Sequence, residues 1–154
     1  MAQDENKWTA AQRHVVVASY LGWMLDAFDF FLLVFVINDV AREFGTKNSS
    51  VAFAIMLTLA LRPLGAFVFG RLADRYGRRP ILMLDVALYS VFGFATAFAP
   101  NLTVFLVIRG LFGVAMGGEW GIGASLTMES IPRSARGFVS GILQSGYPSG
   151  YLFA

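Results

Sequence analysis

Four long apolar runs constrain the fold of this chain more than any other feature of the sequence. They lie at about residues 15–37, 51–72, 81–99 and 102–130. A helix needs about 20 mostly apolar residues to cross roughly 30 Å of hydrocarbon, and each run is close to that length or longer. Of the 154 residues, 56% are hydrophobic and only 14% are charged, which is unusual for a soluble domain. The sequence therefore predicts an all-α membrane protein.

A fifth apolar segment, 138–154, has no polar or basic flank at its far end and is predicted to be an incomplete span. Residues 1–14 are polar, and the run after them is too long for the core of a signal peptide. We therefore expect the first span to be retained as an anchor, and Thr9 and Gln12 have the spacing of a capping box at its start. The predicted organisation is a cytoplasmic segment over 1–14 followed by a helical bundle over 15–154.

The distribution of basic residues predicts the orientation of the spans. One side of the predicted membrane has only Arg42 and Lys47, whereas the other side has eight basic residues. Because basic loops stay in the cytoplasm, the N-terminus is predicted to be cytoplasmic and the chain to lie in a plasma membrane, such as a bacterial inner membrane. The eight residues are Lys7, Arg13, Arg71, Arg75, Arg78, Arg79, Arg133 and Arg136.

Five ionisable residues fall well inside the predicted spans: Asp26, Asp29, Arg62, Arg109 and Glu119. Ionisable groups are costly in a bilayer and usually serve a function there. By contrast, two further acids are close enough to the cytoplasmic boundary to be interpreted as interfacial. These are Asp85 and Glu129.

Asp26 and Asp29 are three residues apart and are predicted to share one helix face. Two neighbouring carboxylates cannot both stay ionised there at low cost, so both are candidates for carrying a proton. Asp29 lies roughly 20 Å along the first helix, and Arg109 lies at about the same depth, so we expect them to meet. Protonation of Asp29 would then release Arg109. A permanent ion pair that only holds the helices in register is the alternative.

Arg62 and Glu119 each allow two interpretations. Arg62 precedes Pro63 and Gly65, which leave space in a helix, so its guanidinium is a candidate receptor for an anionic substrate. The alternative is pairing with Glu119 or with a backbone carbonyl. Glu119, in MGGEWG, is either a second protonation site or a structural acid.

Small residues at four-residue spacing predict close packing between helices. One such series is Gly113, Gly117 and Gly121, and the other is Gly137, Gly141 and Ser145.

Several kinds of chemistry are disfavoured because the residues that they require are rare or absent in this sequence. There is no cysteine and one histidine, His14, which excludes disulfides and thiolate metal sites and makes a histidine-based centre improbable. We also find no nucleophile–base pair, cofactor motif or nucleotide loop. The sequence is thus predicted not to be an enzyme, to need no cofactor other than a coupling proton, and to bind no nucleic acid.

The segment G-R-L-A-D-R-Y-G-R-R resembles the signature loop between helices two and three of the major facilitator superfamily. It matches at Gly70, Asp74, Arg75, Gly77, Arg78 and Arg79. The resemblance implies that this loop is a gate, with Asp74 contacting the other half of a transporter. RGLFG, GGEWG and ESIPRSARG are similar to the fourth helix and following loop of proton-coupled symporters, which adds Glu129 and Arg136 to the gating motif.

Within this superfamily, LDAFDFF and LQSGYPSGY look most like the sialate:proton symporter group, and RPLG resembles the metabolite:proton symporters. The family has twelve helices in two halves, which implies that the missing C-terminal half is a partner of this chain. We therefore expect proton-coupled symport of a small organic anion, such as a monocarboxylate or sialate, by alternating access. The alternatives are a proton-independent facilitator, a drug exporter, and a non-transporting truncated membrane protein or sensor.

Overall fold

The computed structural model describes residues 8–154, which form six α-helices and a short 3₁₀ turn; the start of the predicted segment 1–14 lies outside them. The helices are α1 (Ala10–Phe35), α2 (Ile37–Glu43), α3 (Asn48–Tyr76), α4 (Arg78–Thr96), α5 (Leu102–Ser130) and α6 (Arg136–Phe153), and the 3₁₀ turn is Arg133–Ala135. Within the described stretch, α1, α3, α4 and α5 are long and apolar enough to cross a membrane. The prediction of an all-α membrane fold is confirmed.

Helix α1 begins in the polar segment, as predicted. The Thr9 hydroxyl accepts a hydrogen bond from the Gln12 amide, and the Gln12 side chain accepts one from the Thr9 amide, which completes the capping box. The same Gln12 side chain donates to the Ser130 carbonyl at 2.8 Å. One glutamine thus caps the first helix and ties it to the end of α5.

Glycines let α3 and α5 pack with their backbones almost in contact. A β-carbon at Gly65 would meet the backbone of Val114, and one at Gly113 would meet the backbone of Thr58. Gly117 lies against the backbone between Arg62 and Ala66. The predicted small-residue seam on α5 is therefore present at Gly113 and Gly117.

The third member of that series, Gly121, and the whole predicted series on α6 do not form seams within this chain. Nothing lies within 4 Å of a β-carbon built at Gly121, Gly137 or Gly141. Helix α6 instead packs on α1 through Gly146 and Gly150, whose neighbours are the backbones of Tyr20 and Met24. The four-residue spacing was the right signal, but the face that packs is one residue further round the helix.

The turn between α3 and α4 depends on one glycine. Gly77 ends α3 with φ of +95° and ψ of 149°, a conformation that side chains with a β-carbon rarely adopt. Its amide donates to the Ala73 carbonyl at 2.9 Å and closes α3. The second glycine of the GRLADRYGRR segment is therefore required by backbone geometry alone.

Asp85 of α4 is completely buried within the bundle, and its carboxylate lies beside Gly118 of α5. The sequence predicted an interfacial depth for this acid but not its burial against α5. Its depth in the membrane stays a prediction.

Candidate functional site

Two ion pairs join α1 to its neighbours in the middle of the bundle. Asp26 pairs with Arg62 of α3 at 2.5 Å, and Asp29 pairs with Arg109 of α5 at 2.9 Å. The contact that the sequence predicted between Asp29 and Arg109 is present. Four of the five intramembrane charges therefore form one site, in which a single helix provides both acids and two other helices provide the arginines.

Asp26 accepts three hydrogen bonds from two residues and is almost completely buried. Arg62 donates to both of its oxygens, at 2.5 and 3.1 Å, in the bidentate geometry that arginine and carboxylate favour. Trp120 donates its indole N–H to Oδ2 at 2.6 Å. Arg62 also lies 3.3 Å from the Met116 sulfur. Each of these three donated hydrogen bonds favours the charged form of the carboxylate.

Arg109 is the buried partner of the second pair. Its guanidinium donates to Asp29 at 2.9 Å and lies 5.0 Å from the centre of the Phe112 ring. Thr58 donates its hydroxyl to the Arg109 carbonyl at 3.0 Å and to the Ala54 carbonyl at 2.9 Å. The backbone at Arg109 is therefore fixed against α3 while its charged end reaches α1.

The two pairs differ in which member can be reached from outside. In the Arg62–Asp26 pair the arginine side chain is 21% exposed and the acid 1%. In the Arg109–Asp29 pair the arginine is 4% exposed and the acid 31%. The site thus presents one accessible cation and one accessible acid, each neutralised by a buried partner.

The partner of Arg62 differs from the one considered from the sequence. Arg62 pairs with Asp26, not with Glu119 or a carbonyl, because Asp26 faces α3. Asp26 and Asp29 share one side of α1, as predicted, and each has its own arginine. Which of the two acids carries a proton stays a prediction.

Glu119 forms no ion pair with another residue of the stretch 8–154. Its carboxyl group occupies the space that a β-carbon at Gly22 would fill, and its buried Oε2 has no hydrogen-bond partner among the described residues. It borders a cavity of about 500 Å³ between α1, α4 and α5. The choice between a second protonation site and a structural acid stays a prediction.

The residues of the predicted gate lie together at one end of the bundle. Arg78 forms an ion pair of 3.0 Å with Glu129, which joins the start of α4 to the end of α5. Asp74 lines a groove between α3 and α5 with Gly70 and Arg78. Four members of the motif are exposed or half-exposed and make no ion pair with another residue of the stretch 8–154: Asp74, Arg75, Arg79 and Arg136.

We expect the Arg78–Glu129 pair to contribute little to stability, because about a third of Arg78 and more than half of Glu129 remain exposed. In a double-mutant cycle with Arg78→Ala and Glu129→Ala, the coupling energy from unfolding in detergent should stay below about 1 kcal/mol. A coupling of several kcal/mol would show that the pair is a structural clamp.

Sequence reasoning missed two residues that shape the site. Trp120 follows Glu119 in the sequence, but its indole N–H donates to Asp26, a contact that the segment MGGEWG does not indicate. Thr58 carried no sequence signal, since a threonine in an apolar helix usually bonds back to its own helix, which it also does here. Within the described residues, no three acidic or histidine side chains are grouped so that they could hold a metal ion.

A helical bundle with several spans and with charged pairs between them has the architecture of membrane transport proteins. The model of the Major Facilitator Superfamily matches residues 19–154, and the chain belongs to that family. It is a multi-pass membrane protein.

Three relatives are among the most similar curated proteins. The chain is 34% identical to a probable 4-methylmuconolactone transporter of Cupriavidus pinatubonensis, over 93% of this chain and 33% of the relative. It is 29% identical to the sialic acid transporter NanX of Escherichia coli, over 93% and 35%. It is 33% identical to the niacin transporter NiaP of Acinetobacter baylyi, over 87% and 30%. The chain thus spans about a third of the length of these relatives.

Proposed function

We propose that this chain is the N-terminal part of a proton-coupled symporter of a small organic anion that works by alternating access. The relatives are named for transporting 4-methylmuconolactone, sialic acid and niacin, and each of these molecules carries a carboxyl group. A proton that enters with a carboxylate cancels the charge moved across the membrane. Without it, the membrane potential would oppose entry by about 2.3 kcal/mol per 100 mV.

The observation that carries this proposal is the opposite exposure of the two ion pairs. Asp29 is the accessible acid, so a proton from solution reaches it before it reaches Asp26. Arg62 is the accessible cation, so an anion reaches it before it reaches Arg109. One side of the site therefore suits a proton and the other suits a carboxylate.

The ion pair of Asp29 with Arg109 suggests how binding of a proton could favour binding of the anion. A proton on Asp29 removes its negative charge and leaves the buried Arg109 without a counter-ion. A substrate carboxylate bound at Arg62 would then supply negative charge close to Arg109, because both arginines line one small pocket with Asp29 and Thr58. Proton and anion would thus bind best together, which is the condition for symport.

The other half of the carrier and the membrane orientation belong to the same proposal. We place the N-terminus and the Gly70–Arg79 loop in the cytoplasm of a bacterial cell, because eight of the ten basic residues outside the spans lie on that side. Exposed Asp74 is free to contact the C-terminal half when the inner side closes, as the motif implies.

Proton movement in vesicles tests the proposal. The full-length carrier is reconstituted in unbuffered liposomes, and nicotinate, N-acetylneuraminate or lactate is added outside. We expect the medium to become more alkaline with at least one anion, and uptake to rise several-fold when the outside is made acidic. Anion uptake without a pH change would support a proton-independent facilitator and contradict the symport proposal.

A further inference from the structure

A continuous group of aromatic rings lies beside the ion pairs. Trp120 stacks on Trp23 with ring centres 4.9 Å apart, and its other neighbour is the Tyr147 ring at 6.4 Å. Phe31 contacts both Tyr147 and Tyr151, edge to face, at 5.6 and 4.8 Å. The rings come from α1, α5 and α6, so three helices contribute to this aromatic face.

The aromatic face remains open in this chain. The exposed fraction is 36% for Tyr147, 39% for Trp120 and 55% for Tyr151. Trp120 also donates to Asp26, the acid that binds Arg62. The exposed ring surfaces are therefore linked to the accessible guanidinium through one shared carboxylate, Asp26.

Its polar edges distinguish this face from a lipid-facing surface. Indole N–H and tyrosine hydroxyl groups are costly in hydrocarbon, and charged residues inside membranes face the bundle or a water-filled path. The exposed pair Phe94 and Phe98 on α4 has the opposite character, because neither ring carries a polar atom. We therefore assign the Phe94 side to lipid and the Trp120–Tyr147–Tyr151 side to the transport path.

We propose that this carrier selects planar aromatic carboxylates, with the carboxylate at Arg62 and the ring against Trp120, Tyr147 and Tyr151. This inference rests on the proposed transport function and names its substrate class. An aromatic ring gains from edge-to-face and stacked contacts beyond the area that it buries, whereas a saturated ring of the same size gains only the area. The hydroxyls of Tyr147 and Tyr151 add hydrogen-bonding edges without filling the space between the rings.

Benzoate and cyclohexanecarboxylate provide a matched test, because they share the carboxylate and the ring size and differ in aromaticity. Binding to the purified full-length carrier is followed by tryptophan fluorescence and by competition for transport. We expect benzoate to bind about tenfold more tightly than cyclohexanecarboxylate. Equal affinities would overturn the proposal.

Variants of Tyr147 locate the effect. Tyr147→Leu should reduce the preference for benzoate to about threefold or less, whereas Tyr147→Phe should retain it. Phe94→Leu, which removes an exposed ring on the far side, is the control and should leave the preference unchanged. A preference for benzoate that survives both Tyr147→Leu and Tyr151→Leu would contradict the assignment to this face.

The two proposals fail separately. Proton-linked uptake of lactate or N-acetylneuraminate with no benzoate preference would overturn the aromatic selectivity and leave symport standing. A clear benzoate preference without any proton movement would support the aromatic face and contradict the coupling.

Discussion

Asp29→Asn is expected to abolish most of the proton-driven uptake. The increase in uptake that an inward proton gradient produces should be about 10- to 100-fold smaller than in the wild type, a factor that corresponds to a typical coupling free energy. Asparagine keeps an oxygen that can accept a hydrogen bond from Arg109, but it cannot gain or lose a proton. The stimulation by acid outside should therefore disappear while exchange of substrate across the membrane continues. Initial uptake rates with and without the gradient measure the effect.

Two controls make this result specific. Asp39→Asn changes an exposed acid of α2 whose ion-pair partner among residues 8–154 is Arg42, at 3.5 Å, and it should leave the proton stimulation intact. Asp29→Glu retains a titratable carboxyl group and should keep part of the stimulation of uptake by the proton gradient. If Asp29→Asn is still stimulated by acid as strongly as the wild type, Asp29 is not the coupling residue.

Gly117→Ala is expected to destabilise the bundle by about 3 kcal/mol or more, at or above the usual cost of overpacking. A β-carbon there would lie 2.7 Å from the Ala66 nitrogen and even closer to the Arg62 carbonyl, and helix backbone cannot move aside as a flexible side chain can. Helices α3 and α5 would have to separate, which would also shift Arg62 and Arg109.

Gly121→Ala provides the matched control in the same motif of the same helix. A β-carbon at Gly121 meets nothing within 4 Å, and alanine favours a helix over glycine by up to about 1 kcal/mol. The temperature at which the 154-residue chain loses its monodisperse peak in size-exclusion chromatography should fall for Gly117→Ala and stay the same or rise for Gly121→Ala. Equal behaviour of the two variants would contradict the packing seen between α3 and α5.

Much of the fold was predictable because membrane spans follow from length and hydrophobicity alone. The run 102–130 coincides with α5, and the capping box at Thr9 is where its spacing predicted it. The faces through which the helices pack were harder to predict from the sequence. The spacing of glycines indicates that two helices pack closely, but it does not indicate which face of the helix makes the contact. That is why α6 packs through Gly146 and Gly150 and not through Gly137 and Gly141.

The site was predictable in part for a similar reason. Depth along two helices was enough to predict the contact of Asp29 with Arg109, since both helices are long enough to cross the same layer of hydrocarbon. Depth alone does not give rotation about the helix axis, so the pairing of Arg62 with Asp26 and the donation from Trp120 did not follow from the sequence. Those contacts depend on which way each side chain points.

The close approach of glycine-bearing helices has a mechanical consequence. Where α3 meets α5 and where α6 meets α1, glycines bring the main chains of the two helices close together, so few flexible side chain atoms separate them. We therefore expect α3 and α5 to move together as one rigid unit, and α1 and α6 as another. The ion pairs of Arg62 and Arg109 with α1 connect the two units. A proton or an anion that weakens one ion pair would then let a whole helix pair move, so that a local change of charge is felt along the full length of the helices.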